Sequence, residues 1–232
     1  MKTYILQYVK DFLGLFYPNT CSGCENYLMR QEEGICLECL YKLPKTNFKQ
    51  DAENPVSQIF WGKVEINYAL ALYYYEYGGL LRKLIQNLKY HNDTLVGVVL
   101  GRLLAHEIKK VKDFKVDVIV PVPLHKKKLK KRGYNQCDFI IKGMQEVLPI
   151  EANFTNLIRT KFTETQTKLD KIKRWENVMQ SFALRNEKSF EGKHVLLVDD
   201  VITSGATIEA CATALLKNKG GKVSIACLGK AN

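Results

Sequence analysis

The sequence predicts an α/β protein in which a mainly parallel twisted sheet is flanked by helices, because short apolar runs alternate with segments of helical periodicity. The strand-like runs occupy residues 117–120, 194–198 and 223–228. Apolar side chains recur at helical spacing over residues 80–88, 95–108, 139–147 and 208–217. Because an apolar run that stops at a proline or a polar loop fits a buried parallel strand, ligands are expected at the carboxyl ends of the strands.

Two further segments extend this architecture. Residues 66–77 are aromatic and β-prone, and Gly78 and Gly79 interrupt them, so they predict a hairpin or an edge strand. Near the start of the chain, Leu6, Val9, Leu13 and Phe16 recur at helical spacing. They predict an amphipathic opening helix that packs on the body of the protein.

The segment at residues 198–207 follows the apolar run at 194–197 and has the layout of a sugar-phosphate site. Asp199 and Asp200 can accept hydrogen bonds from vicinal ribose hydroxyls. The loop after them can hold a phosphate at a helix N-terminus, and it comprises Thr203, Ser204, Gly205, Ala206 and Thr207. An ordinary strand, turn and helix with an aspartate cap would explain one acid and one hydroxyl, but not the whole segment.

One ligand carries both groups on a single ribose ring, namely phosphoribosyl pyrophosphate (PRPP), and the segment resembles the PRPP signature of type I phosphoribosyltransferases. Transfer from PRPP breaks the bond between the anomeric carbon and pyrophosphate, so charge on the leaving group must be neutralised. Mg²⁺ and nearby Lys or Arg donors can do this. Asp199 and Asp200 would then orient the ribose and its metal, since two adjacent carboxylates repel unless a cation or donors meet them.

The net charge of the chain is a second indication that its ligands are anionic. The chain carries 35 Lys and Arg against 24 Asp and Glu, a formal charge of +11, which favours polyanionic partners. The densest basic run covers residues 125–132. By itself this run has three interpretations: a solvated face, a nucleic-acid contact, or a clamp for pyrophosphate.

Four of the seven cysteines are arranged as two C-x2-C pairs, Cys21 and Cys24 followed by Cys36 and Cys39. This spacing is typical of a tetrahedral Zn²⁺ site with four thiolates, which leaves no open position and is therefore structural. An iron–sulfur or redox role is the alternative. The other three cysteines, Cys137, Cys211 and Cys227, are isolated and are expected to be small core residues.

The polar stretch at residues 43–56 is expected to connect two units. We therefore predict an N-terminal helix and zinc module over residues 1–50 and one catalytic-size domain over residues 51–232. No apolar run approaches the ~20 residues of a membrane helix, and the N-terminus lacks the features of a signal peptide. These observations predict a cytoplasmic protein without stable membrane insertion.

Several ordered motifs together resemble the ComF family. They are residues 120–125 (VPVPLH), residues 131–136 (KRGYNQ), the series Arg159, Thr163, Gln166, Leu169, Arg174, Asn177 and Val178, the Asp199–Asp200 signature, and the four-cysteine module. The resemblance spans residues 21 to the C-terminus. Two positions depart from the family's frequent residues, Lys161 for Arg and Ser204 for Thr, and lysine lacks the bidentate fork of arginine.

This resemblance implies a zinc-ribbon-like module attached to a type I phosphoribosyltransferase-like domain, associated with DNA uptake in competence and with single-stranded DNA. It implies a pyrophosphate loop at Val122, Pro123, Leu124 and His125. It also implies a mobile loop that closes over the ligand and includes Lys131, Arg132, Tyr134, Asn135 and Gln136. Arg132 joins Asp199 and Asp200 as a candidate catalytic residue, whereas Arg159, Thr163, Gln166, Arg174 and Asn177 receive only a general polar or anion-contact role.

Three functional hypotheses follow. The first is an Mg²⁺-dependent phosphoribosyltransferase whose acceptor the sequence does not identify. The second is a single-stranded DNA-handling protein of uptake or repair, with possible contacts to competence machinery, in which PRPP is a regulator without turnover. The third is a zinc scaffold with a vestigial site, which requires that PRPP binding be absent.

Overall fold

A computed structural model of the chain describes residues 19–48, 53–112, 114–160, 178–217 and 221–231. The expected opening helix lies outside these ranges, and so do Thr163, Gln166, Arg174 and Asn177. In the described ranges no helix is both long enough and apolar enough to cross a bilayer.

A four-stranded parallel sheet forms the centre of the fold, with the strands in the order β1-β6-β5-β2. These strands are β1 (Tyr68–Tyr75), β2 (Val118–Pro121), β5 (His194–Ile202) and β6 (Lys222–Ala231). A separate antiparallel pair consists of β3 (Leu157–Arg159) and β4 (Phe182–Leu184). The parallel sheet confirms the predicted fold class, and β1 lies at an edge as expected.

Six α-helices accompany the strands in the described ranges: α1 (Leu37–Lys42), α2 (Leu80–Tyr90), α3 (Thr94–Ile108), α4 (Lys126–Arg132), α5 (Gln136–Gln145) and α6 (Ala206–Leu216). Short 3-10 helices cover Ser57–Phe60 and Glu187–Phe190. Helices α2, α3, α5 and α6 confirm the helical segments predicted from apolar spacing. The antiparallel pair β3 and β4 was not predicted, because three-residue strands in a polar stretch carry too little periodicity to be recognised.

The sheet is buried on both faces. Along β5, Leu196 and Val198 pack with α2, α3 and α5, while Val195 and Leu197 pack with α6 on the opposite face. This alternation follows from the two-residue period of a strand. All four of these β5 side chains are at most 2% exposed, so the continuous apolar run is explained by burial on both faces.

Two sequence expectations need correction. The strand predicted to end at residue 198 continues to Ile202, because Asp199, Val201 and Ile202 are in register with Cys227, Gly229 and Lys230 of β6. Asp199 and Asp200 therefore lie among the last residues of a paired strand rather than in the loop after it.

The basic run forms helix α4, which begins at Lys126 and ends at Arg132. The expectation that Lys131 and Arg132 belong to a loop is therefore wrong, because both have helical backbone. His125 caps the first turn of α4 by accepting from the Lys127 amide, and Gly133 ends the helix with φ of +87°. Lysine and arginine in the last turn also complement the helix dipole. Asn135 then caps α5, whose first residue, Gln136, is buried.

Helices α3 and α5 cross at a point where each helix has a glycine, Gly101 in α3 and Gly143 in α5. A Cβ atom at Gly101 would overlap the Ile140 carbonyl group, and one at Gly143 would overlap the Val98 carbonyl group. The backbones of the two helices can approach this closely only because both positions lack a side chain.

Replacing Gly143 by Ala is therefore expected to lower the free energy of unfolding by about 2 kcal/mol, since overpacking outweighs the helix propensity gained. Urea unfolding followed by far-ultraviolet circular dichroism measures the change. The matched control is Lys142→Ala, an exposed neighbour on the same helix, for which a change within about 0.5 kcal/mol is expected. Equal stability of Gly143→Ala and the natural chain would contradict the close crossing.

Candidate functional site

The carboxyl end of β5 carries the two acids of the expected ribose site. Asp200 is buried, and Asp199 is partly buried. The Asp199 Oδ1 atom accepts from the Asp200 amide at 2.8 Å and lies 3.6 Å from the Cys137 sulfur. Burial and, second to it, the charge of the adjacent Asp200 carboxylate together raise the pKa of Asp199 to about 7. A carboxyl group in this state is favourably placed to meet an added cation.

Lys89, at the end of α2, supplies the cation that meets Asp200. Its Nζ atom lies 2.7 Å from Asp200 Oδ2, and the two side chains are 22% and 6% exposed. Burial, the largest single effect, lowers the pKa of Lys89, but the charge and hydrogen bond of Asp200 together with the charge of Asp199 outweigh it, so the pKa is raised overall. The sequence analysis missed Lys89, because nothing in the local sequence of α2 indicates that its last turn reaches a strand more than 100 residues away.

The loop after β5, residues 203–207, lines a cavity of about 60 Å³ together with Asp199, Val201, Ile202 and Ile208. Thr203 and Ser204 are exposed, and α6 begins directly after Gly205. Gly205 has φ of +77°, and a Cβ atom there would come 2.6 Å from Ile59, so the loop requires glycine. The first residues of α6 and the loop hydroxyls thus border one small space beside Asp199.

Several basic side chains lie close enough to influence one another, and two of them, Lys89 and Arg159, interact with the carboxylates. Partial burial lowers the pKa of Lys128, and the nearby charges of Arg159, Arg132 and Lys89 lower it further. Burial also lowers the pKa of His125, with Arg159 the largest charged contributor. Arg159 in turn lies close enough to Asp199 for the two charges to attract. We call Lys128, Arg159 and Lys89 the cation group.

Two larger cavities adjoin this group. The tyrosine pocket has a volume of about 410 Å³ and is lined by Lys89, Tyr90, Asn92, Lys128, Lys131, Arg132 and Tyr134. The arginine pocket measures about 690 Å³ and lies on the other side of α4, where Leu124, Asp138, Phe154, Arg159 and Arg185 contribute to its wall. Burial raises the pKa of Asp138 to about 6. Asp138 and Arg185 were not singled out from the sequence, since each stands alone in its segment.

The residues expected in the pyrophosphate and mobile loops separate into two sets. Pro123 and Leu124 border the arginine pocket, while Lys131, Arg132 and Tyr134 border the tyrosine pocket. Asn135 stabilises the backbone: its side chain caps α5, and its Nδ2 atom donates to the Val122 carbonyl oxygen at 3.0 Å. Gln136 accepts from Arg132 Nη1 and is 4% exposed, so it positions Arg132 rather than lining either cavity.

The four N-terminal cysteines form a single cluster in which all Sγ atoms lie within 4.8 Å of one another. This spacing fits a tetrahedral ion with Zn–S bonds of about 2.3 Å. Amides donate to the sulfurs, from Gly23 and Cys36 to Cys21 and from Cys39 to Cys36. Burial raises the pKa of Cys21, but these amide hydrogen bonds outweigh it and lower the pKa to about 7. The donor set therefore fits a structural zinc ion.

The cysteine cluster packs against α2. Asn87 donates to the Ser22 carbonyl oxygen at 2.9 Å, Lys83 pairs with Glu25 at 2.7 Å, and Gly23 lies against Leu80. The polar connection after the cluster is also attached to the domain, because the Thr46 amide donates to the Leu72 carbonyl oxygen of β1 at 3.1 Å. The helix that carries Lys89 is thus in contact with the cysteine module along its length.

Comparison with known proteins finds a phosphoribosyl transferase domain and relatives that are named for DNA utilization or competence. The family model of the phosphoribosyl transferase domain matches residues 129–232. The chain is 32% identical to the DNA utilization protein YhgH of Escherichia coli K12 over 157 residues, 66% of this chain and 68% of that protein. It is 36% identical to competence protein F of Haemophilus influenzae over 140 residues, 58% of this chain and 61% of that protein. With competence protein ComFC of Bacillus subtilis the identity is 25% over 213 residues, 85% of each chain.

Replacing Cys36 and Cys39 by Ser is expected to abolish stoichiometric zinc and to destabilise the N-terminal module, because two ligands of a four-thiolate site are lost. Zinc is measured by plasma mass spectrometry on purified protein, and stability by thermal unfolding. Cys211→Ala, which removes a thiol outside the cluster, is the control and should retain zinc. A full equivalent of zinc in the Cys36, Cys39 variant would rule out the four-ligand site.

Proposed function

Since the chain belongs to the ComF family of competence-associated proteins with a phosphoribosyltransferase-like fold, we propose that it binds PRPP with Mg²⁺ and transfers its phosphoribosyl group. The observation that carries this proposal is the position of the Asp199 and Asp200 carboxylates. Asp199 lines the small cavity of the hydroxyl-bearing loop and attracts Arg159, while Asp200 is paired with Lys89. A ribose that carries a phosphate at one end and pyrophosphate at the other needs neighbours of both kinds.

The 5′-phosphate is assigned to the loop at residues 203–207. Thr203 and Ser204 present exposed hydroxyls there, and the first turn of α6 presents amides without intrahelical partners. The cavity of about 60 Å³ accommodates a group of phosphate size rather than a whole nucleotide. Gly205 allows the backbone to come close to the ligand.

The ribose hydroxyls and the metal are assigned to Asp199 and Asp200. Carboxylate oxygens are preferred ligands of Mg²⁺, and burial together with the Asp200 charge raises the pKa of Asp199, an effect that a bound divalent ion would oppose. When bound, the ion would neutralise charge on the pyrophosphate. Lys89 contacts Asp200 at 2.7 Å, so its part is to position one acid of the pair.

The pyrophosphate is assigned to the cation group beside residues 122–125. Lys128 and Arg159 crowd positive charge into one place, as the lowered pKa of Lys128 indicates. Such crowding is unfavourable without a ligand and becomes favourable when a polyanion arrives. As the anomeric bond breaks, these fixed charges stabilise the negative charge that develops on the leaving group.

The first test is calorimetric titration of PRPP into the zinc-loaded protein with and without Mg²⁺. We expect Mg²⁺-dependent binding that weakens at least about tenfold in Asp199→Asn, a loss of ~1.4 kcal/mol. The double variant Asp199→Asn, Asp200→Asn should weaken it further. Because Asp200→Asn also removes the partner of Lys89, the single variant is the one that tests ligand contact without disturbing that pair.

Glu191→Gln, which neutralises an exposed acid away from the site, is the control for the loss of one negative charge. Unchanged affinity in a folded Asp199→Asn variant would refute the ribose assignment. Absence of PRPP binding in the natural chain under every condition would refute the proposed function as a whole.

A second function, binding of single-stranded DNA, is favoured by the +11 net charge and by α4, on which Lys126, Lys127, Lys130 and Lys131 are exposed. Lys128 is exposed as well, and a helix that presents five lysines provides a track for a phosphate backbone. The relatives are named as DNA utilization and competence proteins, and these names favour DNA as a partner. Contacts with proteins of an uptake machinery belong to this proposal as well.

Lys127→Gln with Lys130→Gln is expected to weaken binding of an oligothymidylate. Each phosphate contact on a single strand contributes about 0.7 to the slope of log affinity against log salt, so the slope should fall by ~1.4. Fluorescence anisotropy at several salt concentrations measures it. The control, Lys188→Gln with Lys193→Gln, removes the same charge from another exposed surface. The same loss in both variants would contradict a binding track on α4.

A further inference from the structure

The arginine pocket lies on the opposite side of α4 from the tyrosine pocket. Lys126 and Leu129 of α4 line it, whereas Lys128, Lys131 and Arg132 of the same helix line the tyrosine pocket. The exposed lysines that we propose as a track for a phosphate backbone therefore border this cavity. Its volume of about 690 Å³ lies in the range of small-molecule sites and has room for one nucleotide. A single strand bound along α4 thus runs beside a cavity of nucleotide size.

One part of the pocket wall is an aromatic ring on a fixed turn. Phe154 lines the pocket and is 40% exposed. The turn that carries it is held by Asn153, whose Oδ1 atom accepts from the Thr155 and Asn156 amides at 3.2 and 2.9 Å. The Asn153 amide in turn donates to the Ile119 carbonyl oxygen of β2 at 2.9 Å. Because the backbone beside the ring is attached to the central sheet, stacking a base on the ring requires little ordering of the protein.

A hydrogen-bond acceptor borders the same cavity. Asp138, in the first turn of α5, lines the pocket and is partly buried. Within the described part of the chain, no residue forms an ion pair or a hydrogen bond with its carboxylate. Burial raises its pKa to about 6, so the group is mainly ionised at neutral pH. An ionised carboxylate accepts hydrogen bonds and donates none, so it selects a ligand that presents N–H donors.

Two basic side chains also line the pocket, and neither has a carboxylate partner among the described residues. Lys126 begins α4, Arg185 follows β4, and both are exposed. The backbone of Arg185 is held in place, because its amide donates to the carbonyl oxygen of the buried Asn156 at 2.9 Å. Cations without a carboxylate partner are available to phosphate oxygens. A ring, an acceptor and two cations thus border one cavity, and these are the groups that an amino-bearing base and its phosphates contact.

We propose that the arginine pocket binds one nucleotide of a single strand that follows α4, and that it favours a base with an amino group, such as cytosine, over thymine. The base stacks on Phe154 and donates its amino group to Asp138, while Lys126 and Arg185 hold the adjacent phosphates. Cytosine carries an amino group on its Watson–Crick edge, whereas thymine presents two carbonyl oxygens there, which an ionised carboxylate repels. This inference rests on the second proposed function, binding of single-stranded DNA, and adds a base preference to it.

The probes are oligodeoxycytidylate and oligothymidylate of equal length, titrated into the zinc-loaded full chain at neutral pH and followed by fluorescence anisotropy. The natural chain is expected to bind the cytosine strand at least about fivefold more tightly. Asp138→Asn should bring the two affinities within about twofold of each other, because an amide both accepts and donates. Phe154→Ala should weaken the binding of both strands by at least about fivefold, whereas Phe154→Tyr, which keeps the ring, should stay within about twofold of the natural chain.

Two matched controls lie outside the pocket. Glu151→Gln neutralises an exposed acid on the segment before Phe154, and Tyr77→Ala removes a ring that is 93% exposed. Both should leave the affinities for the two strands unchanged. Three results would overturn the nucleotide pocket: equal affinity of the natural chain for the two strands, an undiminished cytosine preference in folded Asp138→Asn protein, or equal effects of Phe154→Ala and Tyr77→Ala.

The failure of this inference and that of single-stranded DNA binding are distinguishable. If oligothymidylate binds and Lys127→Gln with Lys130→Gln weakens its binding, any of the three results refutes the nucleotide pocket alone. If neither strand binds the natural chain, single-stranded DNA binding is refuted and the nucleotide pocket with it.

Discussion

The ion pair between Lys89 and Asp200 is the contact on which the arrangement of the site depends. A carboxylate that is 6% exposed at the end of a buried strand requires a cation, and Lys89 provides it at 2.7 Å from the last turn of α2. Losing one partner of such a pair typically costs about 3–5 kcal/mol, since the other charge stays buried. The pair therefore fixes α2 over the carboxyl end of β5, and the tyrosine pocket exists because α2 is held there.

The same helix connects the site to the cysteine module. Asn87 and Lys83 of α2 contact Ser22 and Glu25 of the first cysteine pair, on the same helix that ends at Lys89. A zinc ion that orders the two C-x2-C turns would thereby order the surface on which α2 rests. The module thus gives α2 a second packing surface besides the sheet.

The site combines a pair of acidic side chains with a group of basic side chains. On one side, Asp199 and Asp200 lie close together and raise the pKa of Asp199, so this side favours a cation or hydroxyl donors. On the other side, Lys128 and Arg159 repel each other and favour an anion. Under the proposed function, a ligand with a diol next to a polyanion would meet both kinds of charge at once. Perturbed pKa values of this kind are common at functional sites.

Short-range periodicity and residue spacing predicted the local elements of this protein. Alternating apolar segments predicted the parallel sheet and helices α2, α3, α5 and α6, and the fixed spacing of four cysteines predicted their cluster. The segment from Asp199 to Thr207 was singled out as a candidate site because its residues are contiguous. The folded chain was needed to find that Lys89 meets Asp200, that the basic run is a helix with a pocket on each side, and that Tyr90 faces Arg132. These contacts join residues far apart in the chain, and which helix ends meet which strand ends is set by the packing of the whole core.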